Sequence, residues 1–302
     1  MAAGVTRVIA VVGPTAAGKS ALSLALAHAL GGEVVNADSM QLYRGMDIGT
    51  AKLTPPERAG VPHHVLDIWP VTEPASVAQY QRLARAAIDA VAARGRVPLL
   101  VGGSGLYVRA VLEEFEFPGT DPAVRRRLEA ELADAGPAPL HARLAAADPA
   151  AAATILPGNG RRIVRALEVI ELTGRPFTAR LPEPRPFYDA VQIGVDRDPA
   201  DLDGRIAARV DQMWAAGLVD EVRALEARGL REGLTASRAL GYQQVLRFLA
   251  GGCSEAEAHA ETVRATRRFV RRQRSWFRRD PRVVWLDGAD ENLVVRALAA
   301  AE

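Results

Sequence analysis

The amino-acid sequence predicts an α/β protein in which helices flank a parallel sheet and an all-helical subdomain is inserted into the core. Over residues 8–116, short apolar runs alternate with helical patterns, which is the order of β–α units in a parallel sheet. From about Phe117, several helical patterns follow one another with no strand between them. We therefore predict a core made of residues 1–116 and 188–302, with residues 117–187 as the inserted subdomain.

The composition is that of a globular protein. The chain has 302 residues, of which 49% are hydrophobic and 25% charged, with a net charge of +2, so a polyanionic partner would need a local basic patch. A single cysteine, Cys253, excludes an internal disulfide and a cysteine-based zinc site. The first strand begins too early for a targeting peptide, and no apolar run would span a bilayer. We expect a cytoplasmic protein that does not enter a membrane.

The first β–α unit contains the clearest motif. The apolar run Val8–Val12 leads into Gly13-Pro14-Thr15-Ala16-Ala17-Gly18-Lys19-Ser20, and a helical pattern follows. This G-x-x-x-x-G-K-S spacing between a strand and a helix is that of a P-loop, whose N–H groups and helix N-terminus bind phosphate. Lys19 adds a positive charge, and the Ser20 hydroxyl can bind Mg²⁺. The motif predicts a di- or triphosphate ligand and a P-loop NTPase-like parallel sheet, without identifying the ligand.

Two further loops are predicted at the same edge of the sheet. Residues 33–37 form an apolar strand pattern that leads into Asp38, and Val97–Val101 forms another, followed by the glycine-rich loop 102–107. In doubly wound sheets the ligand crevice lies at the carboxyl ends of the strands. Asp38 and this loop should therefore face the phosphate site, where the carboxylate could act in catalysis, bind Mg²⁺ or cap a helix.

A long loop, a short strand and a helix connect these strands. Residues 40–62 are polar and broken by glycines and prolines, which predicts an ordered loop beside the phosphate site. His63 and His64 precede a predicted strand over Val65–Ile68, and no third ligand stands at metal-binding spacing. We interpret both histidines as hydrogen-bonding residues at the start of that strand. A helix is predicted over Ser76–Arg94, with the serine as its N-cap.

The second half of the chain is predicted to be mostly helical. The insertion has helical patterns over Asp121–Ala135, Ala138–Ala147 and Gly160–Thr173. An extended link back to the core is marked by Pro182, Pro184 and Pro186. Strands are predicted over Ala190–Val195 and Val283–Asp287. The remaining helices are predicted over Pro199–Ala216, Val219–Arg228, Thr235–Leu249, Ser254–Arg278 and Glu291–Ala300.

Two helices carry arginines that suggest contact with phosphate. Arg205 and Arg209 are four residues apart and share one helix face, either as anion contacts or as a solvated basic edge. On the long helix near the C-terminus, Glu261 and Asp280 only bracket a run of arginines. Six of these share one broad face: Arg264, Arg267, Arg268, Arg271, Arg274 and Arg278. Such a face is typical of binding to nucleic-acid phosphates, the alternative being a solvated helix surface.

Motifs along essentially the whole chain resemble those of the tRNA dimethylallyltransferase (tRNA isopentenyltransferase) family, in its bacterial type. Besides the P-loop, the matching segments are Asp38-Ser39-Met40-Gln41-Leu42-Tyr43, Gly45-Met46-Asp47-Ile48-Gly49-Thr50-Ala51-Lys52, Pro62-His63-His64, Gly102-Gly103-Ser104-Gly105-Leu106-Tyr107, Arg165-Ala166-Leu167-Glu168, Gly241-Tyr242-Gln243 and the helix over 267–278. The stretch from Asp38 to Lys52 is the most selective, because a P-loop alone occurs in proteins of many functions. The C-terminal zinc finger of the eukaryotic branch is not found in this sequence.

The resemblance implies transfer of a dimethylallyl group from dimethylallyl diphosphate to N6 of adenosine 37 in tRNA, with Mg²⁺ as cofactor. It implies that Asp38 accepts the proton of the amine and that Arg209 assists departure of the diphosphate, with Lys19 and Ser20 as further catalytic residues. The implied diphosphate contacts are Gly13, Pro14, Thr15, Ala16, Ala17, Gly18, Lys19, Ser20, Arg205 and Arg209, with Ser20 as the Mg²⁺ ligand.

The implied partner is the tRNA anticodon stem-loop, and we expect a monomer without a protein partner. The residues that would contact tRNA are Asp38, Ser39, Met40, Gln41, Ser104, Arg125, Arg161, Arg162, Arg165, Arg238, Gly241, Tyr242, Gln243, Arg268 and Arg271. Members of the family often have glutamine where this chain has Arg161, so the chemistry of that contact differs here.

Three other functions are weighed against this one. An adenylate dimethylallyltransferase would carry out the same chemistry on free AMP, but it would not need the helical insertion or the arginine face. A small-molecule P-loop kinase would leave the match from Asp38 to Lys52 unexplained. A GTP-dependent RNA-binding switch would usually show an N-K-x-D motif, and the sequence contains none.

Overall fold

The computed structural model describes residues 6–114, 117–177 and 185–302, which fold into two compact units. The core unit comprises the chain up to Glu113 and from Pro186 onward, and the insertion unit comprises residues 114–185. These boundaries lie a few residues before those predicted from the sequence. Pro182 and Pro184, predicted to mark the return link, lie outside the described residues. No helix in the described ranges is long and apolar enough to cross a bilayer.

A six-stranded parallel sheet forms the centre of the core unit, which confirms the predicted fold class. Its strands are β1 (Arg7–Val12), β2 (Gly32–Asn36), β3 (His63–His64), β4 (Val97–Gly102), β5 (Asp189–Asp196) and β6 (Val283–Asp287), in the order β3-β2-β4-β1-β5-β6. Strand β1 is central, and its alternating residues pack into two different apolar clusters, Val8 into one and Ile9 into the other. Both faces of the sheet are therefore buried, as parallel sheets require.

Helices cover both faces of this sheet and make up the insertion unit. In chain order they are α1 (Lys19–Leu30), α2 (Val77–Ala93), α3 (Gly105–Leu112), α4 (Pro122–Ala135), α5 (Pro137–Ala147), α6 (Pro149–Thr154), α7 (Gly160–Thr173), α8 (Pro199–Ala215), α9 (Leu218–Glu226), α10 (Tyr242–Leu249), α11 (Glu255–Phe277) and α12 (Leu293–Ala301). Helix α2 begins where predicted, because the side chain of Ser76 accepts a hydrogen bond from Gln79 N.

Three elements differ from the sequence prediction. Strand β3 contains only the two histidines, because Val65 (φ 60°) and Asp67 (φ 55°) adopt left-handed backbone conformations that end an extended strand. The predicted helix over Thr235–Leu249 is broken, since Gly241 at φ 86° separates a short 3₁₀ turn from α10. Helix α6 was not predicted, because its six residues are too few to show a helical period.

The two histidines of β3 have the hydrogen-bonding roles predicted for them. His63 Nδ1 lies 2.9 Å from Val61 O, and His64 Nε2 lies 2.6 Å from the carboxylate of Glu33. Arg94 contacts the same carboxylate at 2.6 Å, so Glu33 joins the sheet edge to the end of α2.

In the insertion unit, a buried carboxylate organises the polar contacts. Glu168 on α7 is fully buried and accepts hydrogen bonds from Thr120, Arg125 and Arg165. Burial alone would raise the pKa of Glu168, but the hydrogen bonds from Arg125, Thr120 and Arg165 outweigh it and hold the pKa below its ordinary 4.5. The ionised carboxylate therefore stabilises this unit.

We predict that Glu168→Gln lowers the free energy of unfolding by about 3 kcal/mol at pH 7, because two partly buried guanidinium groups lose their counter-charge. Chemical denaturation of the full chain measures it. Since the folded pKa is depressed, the contribution is complete above the ordinary pKa and is lost as the pH falls through the folded pKa. The difference between wild type and variant should shrink in acid.

Glu171→Gln is the matched control on the same helix. Glu171 pairs with Arg127, but both side chains are nearly half exposed, so the change should stay within about 1 kcal/mol. Equal losses in the two variants would contradict the role assigned to Glu168.

Candidate active site

The loop between β1 and α1 leaves a row of backbone donors free. Gly13 has φ 132°, and a Cβ atom there would lie 2.2 Å from Val195 O on β5, so only glycine fits. Gly18 has φ 112° and precedes the first turn of α1. Within the described residues, the N–H groups of residues 16–21 donate to no acceptor in the chain. This is the donor set of an anion nest at a helix N-terminus.

Three arginines contact or face this loop, one directly after β5 and two on α8. Arg209 Nη1 donates to Thr15 Oγ1 (3.1 Å), Arg205 Nε donates to Ala16 O (2.8 Å), and Arg197 Nε donates to Ala17 O (3.1 Å). Burial, and then repulsion by Arg205, lower the pKa of Arg209. No carboxylate in the described part of the chain pairs with Arg209. Arg205 and Arg209 therefore face the loop, and Arg209 is a partly desolvated cation that an anion would stabilise.

Lys19 adds a titratable cation to the same loop. Its Nζ donates to Pro14 O at 2.7 Å. Burial lowers the pKa of Lys19 to about 8; the carboxylate of Asp38 opposes this shift, and Arg209 adds to it. Lys19 thus has a charge that depends on pH near neutrality and on what occupies the loop.

Asp38 follows the carboxyl end of β2, as predicted. Its Oδ1 accepts a hydrogen bond from Met40 N (2.9 Å), and the buried side chain of Asn36 accepts one from Asp38 N (2.9 Å) and donates one to Asp38 O (3.0 Å). Burial raises the pKa of Asp38, against the opposing effects of the Met40 N–H and of Lys19. A raised pKa makes this carboxylate a stronger proton acceptor.

A cavity of about 320 Å³ in the core unit is lined by Asp38, by Arg209 and by the P-loop residue Thr15. Its polar lining includes Thr15, Asp38, Ser39, Ser104, Arg209, Arg238 and Arg272. Its apolar lining includes Met40, Ile206, Val210, Met213, Leu240 and Phe269. The cavity therefore offers one space to an anionic group, an apolar group and a proton donor that faces Asp38.

Segment 39–52 forms one wall of this cavity and is held by side-chain contacts that the sequence did not predict. The Glu221 carboxylate accepts hydrogen bonds from Ile48 N (2.7 Å) and from the hydroxyl of Tyr242 (2.5 Å). Lys52 Nζ, almost fully buried, lies 2.6 Å from both Asp47 and Asp67. These contacts fix residues 49–51 against the cavity.

Gln41 and Ser104, both predicted to contact tRNA, form hydrogen bonds within this wall. Gln41 Nε2 donates to Thr50 O (3.1 Å), while Ser104 Oγ accepts Ser39 N (3.1 Å) and lies 3.2 Å from Ser39 Oγ. Tyr242 is fully buried and lies under Gly49, whose missing Cβ would be 2.5 Å from the Tyr242 ring. Its contact with tRNA stays a prediction.

Comparison with known proteins identifies the family. The model of the family described as IPP transferase matches residues 41–280. The chain belongs to this family. The tRNA dimethylallyltransferase of Salinispora arenicola is 81% identical over 97% of this chain and 86% of that protein, and the one from Streptomyces griseus is 71% identical over 99% and 97%.

Solved structures of relatives support the same assignment. The tRNA isopentenylpyrophosphate transferase of Bacillus halodurans is 43% identical, with a TM-score of 0.72 over 98% of this chain and 94% of that one. A eukaryotic dimethylallyltransferase acting on tRNA is 27% identical, with a TM-score of 0.84 over 97% and 78%. The chain therefore has the fold of an IPP transferase along nearly its whole length.

For this IPP transferase, the predicted RNA contacts on the core unit fall into two groups. Gly241 and Tyr242 are buried, whereas Arg238 and Gln243 are exposed. On α11 and at its C-cap, Arg278, five of the six predicted arginines pair with carboxylates: Arg264 and Arg268 with Glu261, Arg267 with Asp203, and Arg274 and Arg278 with Asp196. Exposed Arg271 has no carboxylate partner in the described ranges.

In the insertion unit, Arg125 and Arg165 are committed to Glu168, as described above, while Arg161 and Arg162 are exposed at the start of α7. Both kinds of residue stay predicted tRNA contacts. Ser20 is exposed at the first turn of α1, where its hydroxyl is open to a ligand.

We predict that affinity for inorganic diphosphate falls as the pH rises above about 8, because Lys19 loses its charge there. The matched reference is Lys19→Arg, whose side chain stays charged over this pH range. Any pH dependence of its Kd therefore reports protonation of the diphosphate and not of residue 19. The ratio of the wild-type Kd to the variant Kd should rise by up to about ten-fold per pH unit, since one proton is taken up on binding. Calorimetric titration between pH 7 and 9.5 measures the ratio, and a flat ratio would contradict the assignment.

Proposed function

We propose that this IPP transferase transfers a dimethylallyl group from dimethylallyl diphosphate to N6 of adenosine 37 in tRNA and releases diphosphate. One observation carries the proposal: a single cavity is lined by Asp38, by the P-loop residue Thr15 and by Arg209, with apolar side chains beside them. The names of the relatives, which are tRNA dimethylallyltransferases, give the class of donor and acceptor.

The donor would bind through its diphosphate. The free N–H groups of residues 16–21, Lys19 and Arg209 are placed for an anion, and the apolar lining suits an allylic chain. As the C–O bond to the diphosphate breaks, negative charge grows on the leaving oxygen. Preformed donors and cations at that position stabilise the transition state.

The acceptor would enter the same cavity as an adenine turned out of the tRNA stack. Its N6 lone pair forms the new C–N bond while the electrons of the C–O bond leave with the diphosphate. Asp38 takes the N6 proton, so the product amine is neutral and Asp38 is briefly a carboxylic acid. A donor and a base that fill the cavity would also limit access of water, which would otherwise hydrolyse the allylic donor.

The donor set near the loop fits the proposed Mg²⁺. Mg²⁺ favours one or two protein oxygens together with substrate phosphates and water, and Ser20 presents an exposed hydroxyl at the first turn of α1. No group of three or more His, Cys, Asp or Glu side chains in the described ranges could hold a metal alone, so Ser20 and the diphosphate would share it. When bound, the ion would neutralise charge on the departing diphosphate.

All residues that line the cavity belong to one core unit, so the proposal needs only one copy of the chain, and we propose a monomer. Since tRNA is the acceptor, we expect the reaction to take place in the cytoplasm.

The deciding experiment is a transfer assay with labelled dimethylallyl diphosphate and Mg²⁺, offering unmodified tRNA and free AMP in parallel. We expect label in tRNA only. Label in AMP would favour the free-nucleotide enzyme, and label in neither would remove prenyl transfer as the function.

The same assay tests Asp38. Asp38→Asn should lower turnover by about 10²–10⁴-fold, the usual range for a general base, while binding of tRNA stays close to wild type. Asp220→Asn, at an exposed carboxylate paired with Arg223, is the control and should be unaffected. Wild-type turnover in Asp38→Asn would exclude Asp38 as the proton acceptor.

The exposed face of α11 gives a separate prediction for tRNA. Arg271→Ala should weaken binding and lower the slope of log K against log salt by about 1, because one phosphate contact is lost. Arg264→Ala, on the same helix but paired with Glu261 at 2.8 Å, should change both quantities less. Filter binding over a salt series measures both, and equal effects in the two variants would mean that pairing does not decide which arginines meet RNA.

A further inference from the structure

Gln273 on α11 is buried, with 6% of its surface exposed, and bonds two loops at once. Its Oε1 accepts a hydrogen bond from Thr15 N in the P-loop (3.0 Å), and its Nε2 donates one to Gly103 O in the second glycine loop (2.9 Å). One partner is a donor and the other an acceptor, so only one orientation of the amide satisfies both. Thr15 and Gly103 are 88 residues apart in sequence, each following one of the paired strands β1 and β4, and this side chain bonds both of them.

We propose that Gln273 is a positioning residue that holds the P-loop and the second glycine loop in register for catalysis, which rests on the function proposed above. Thr15, whose N–H it receives, also accepts the hydrogen bond of Arg209 through its hydroxyl. Gly103, whose carbonyl it bonds, precedes Ser104, which contacts Ser39 next to Asp38. Gln273 thus links the loop that contacts Arg209, the cation proposed to assist the leaving group, to the loop that contacts the residue next to Asp38, the proposed proton acceptor.

The packing around Gly103 supports this assignment. A Cβ atom on Gly103 would lie 2.3 Å from Gln273 Nε2 and 3.1 Å from Gly13 O. The glycine therefore lets the amide reach between the two loops. The bond to Gln273 also occupies the Thr15 N–H, so the donors left free for an anion begin at residue 16.

Gln273→Met tests this role, because it keeps the length of the side chain but removes both hydrogen bonds. We expect it to lower both diphosphate affinity and turnover. Thr15 N and Gly103 O would be left without partners, and the loops would shift relative to each other. We expect Kd for inorganic diphosphate to rise about ten-fold, and turnover in the transfer assay to fall about 10²-fold because the reacting groups are misplaced.

The control is Gln192→Met. Gln192 is equally buried, in the middle of β5, and bonds Asp280 rather than the crevice loops. It should lose stability without a change in turnover or in diphosphate affinity. If Gln273→Met matches wild type in both quantities, or if Gln192→Met loses as much of each, Gln273 does not position the site.

A double-mutant cycle separates positioning from general damage. Because Gln273 acts through Thr15 and Arg209, the rise in diphosphate Kd caused by Gln273→Met should shrink in an Arg209→Ala background. Additive effects would contradict the proposed link. Diphosphate binding does not require prenyl transfer, so a wild type that binds diphosphate but transfers nothing would overturn the proposed function while this cycle still decides the role of Gln273.

Discussion

The candidate active site depends on the row of N–H groups at residues 16–21, which donate to no acceptor in the described part of the chain. The first N–H groups of any helix have no acceptor within that helix, and the loop that precedes α1 turns through positive φ angles at Gly13, Ala16 and Gly18. The turn must also pass close to β5, where Val195 O leaves no space for a side chain on Gly13. The sheet order, with β1 between β4 and β5, places the supporting loops on both sides of this turn.

The charges around the loop follow from the same constraint. Free donors and nearby cations repel further positive charge, and the shifted pKa values of Lys19 and Arg209 reflect both burial and this repulsion. Asp38 is the carboxylate whose field reaches Lys19. An incoming anion would compensate the two cations and leave Asp38 available for a proton. The arrangement therefore separates a site for negative charge from a site for a proton within one cavity.

The sequence was sufficient to predict the parts of the site that follow local rules. The P-loop has a fixed spacing, and Asp38 and the loop 102–107 follow strands whose carboxyl ends meet at one edge. It was not sufficient for Glu221, Lys52 and Gln273, because each bonds backbone or side-chain groups that no local pattern marks. Gln273 and Thr15 are separated by 258 residues.

The same limit applies to the arginine helix and to β3. The carboxylates that pair with Arg267, Arg274 and Arg278 come from β5 and α8 rather than from α11 itself, so the helix sequence alone overstated its free charge. At β3, the left-handed angles of Val65 and Asp67 belong to a loop conformation held by Lys52 and Asn36. Apolar residues there looked like a strand because hydrophobicity reports burial and not backbone angle.

The central place of β1 has a consequence for how the chain assembles. Strand β1 pairs on one side with β5, so Arg7 lies beside Asp189 across some 180 residues of intervening chain. During translation the P-loop emerges from the ribosome before the insertion, whereas β5, which packs against it, emerges only after the insertion. Contacts between such distant segments form slowly, whereas those of the insertion unit are local. The phosphate loop, synthesised before the insertion, therefore reaches its final form only after β5 has been added.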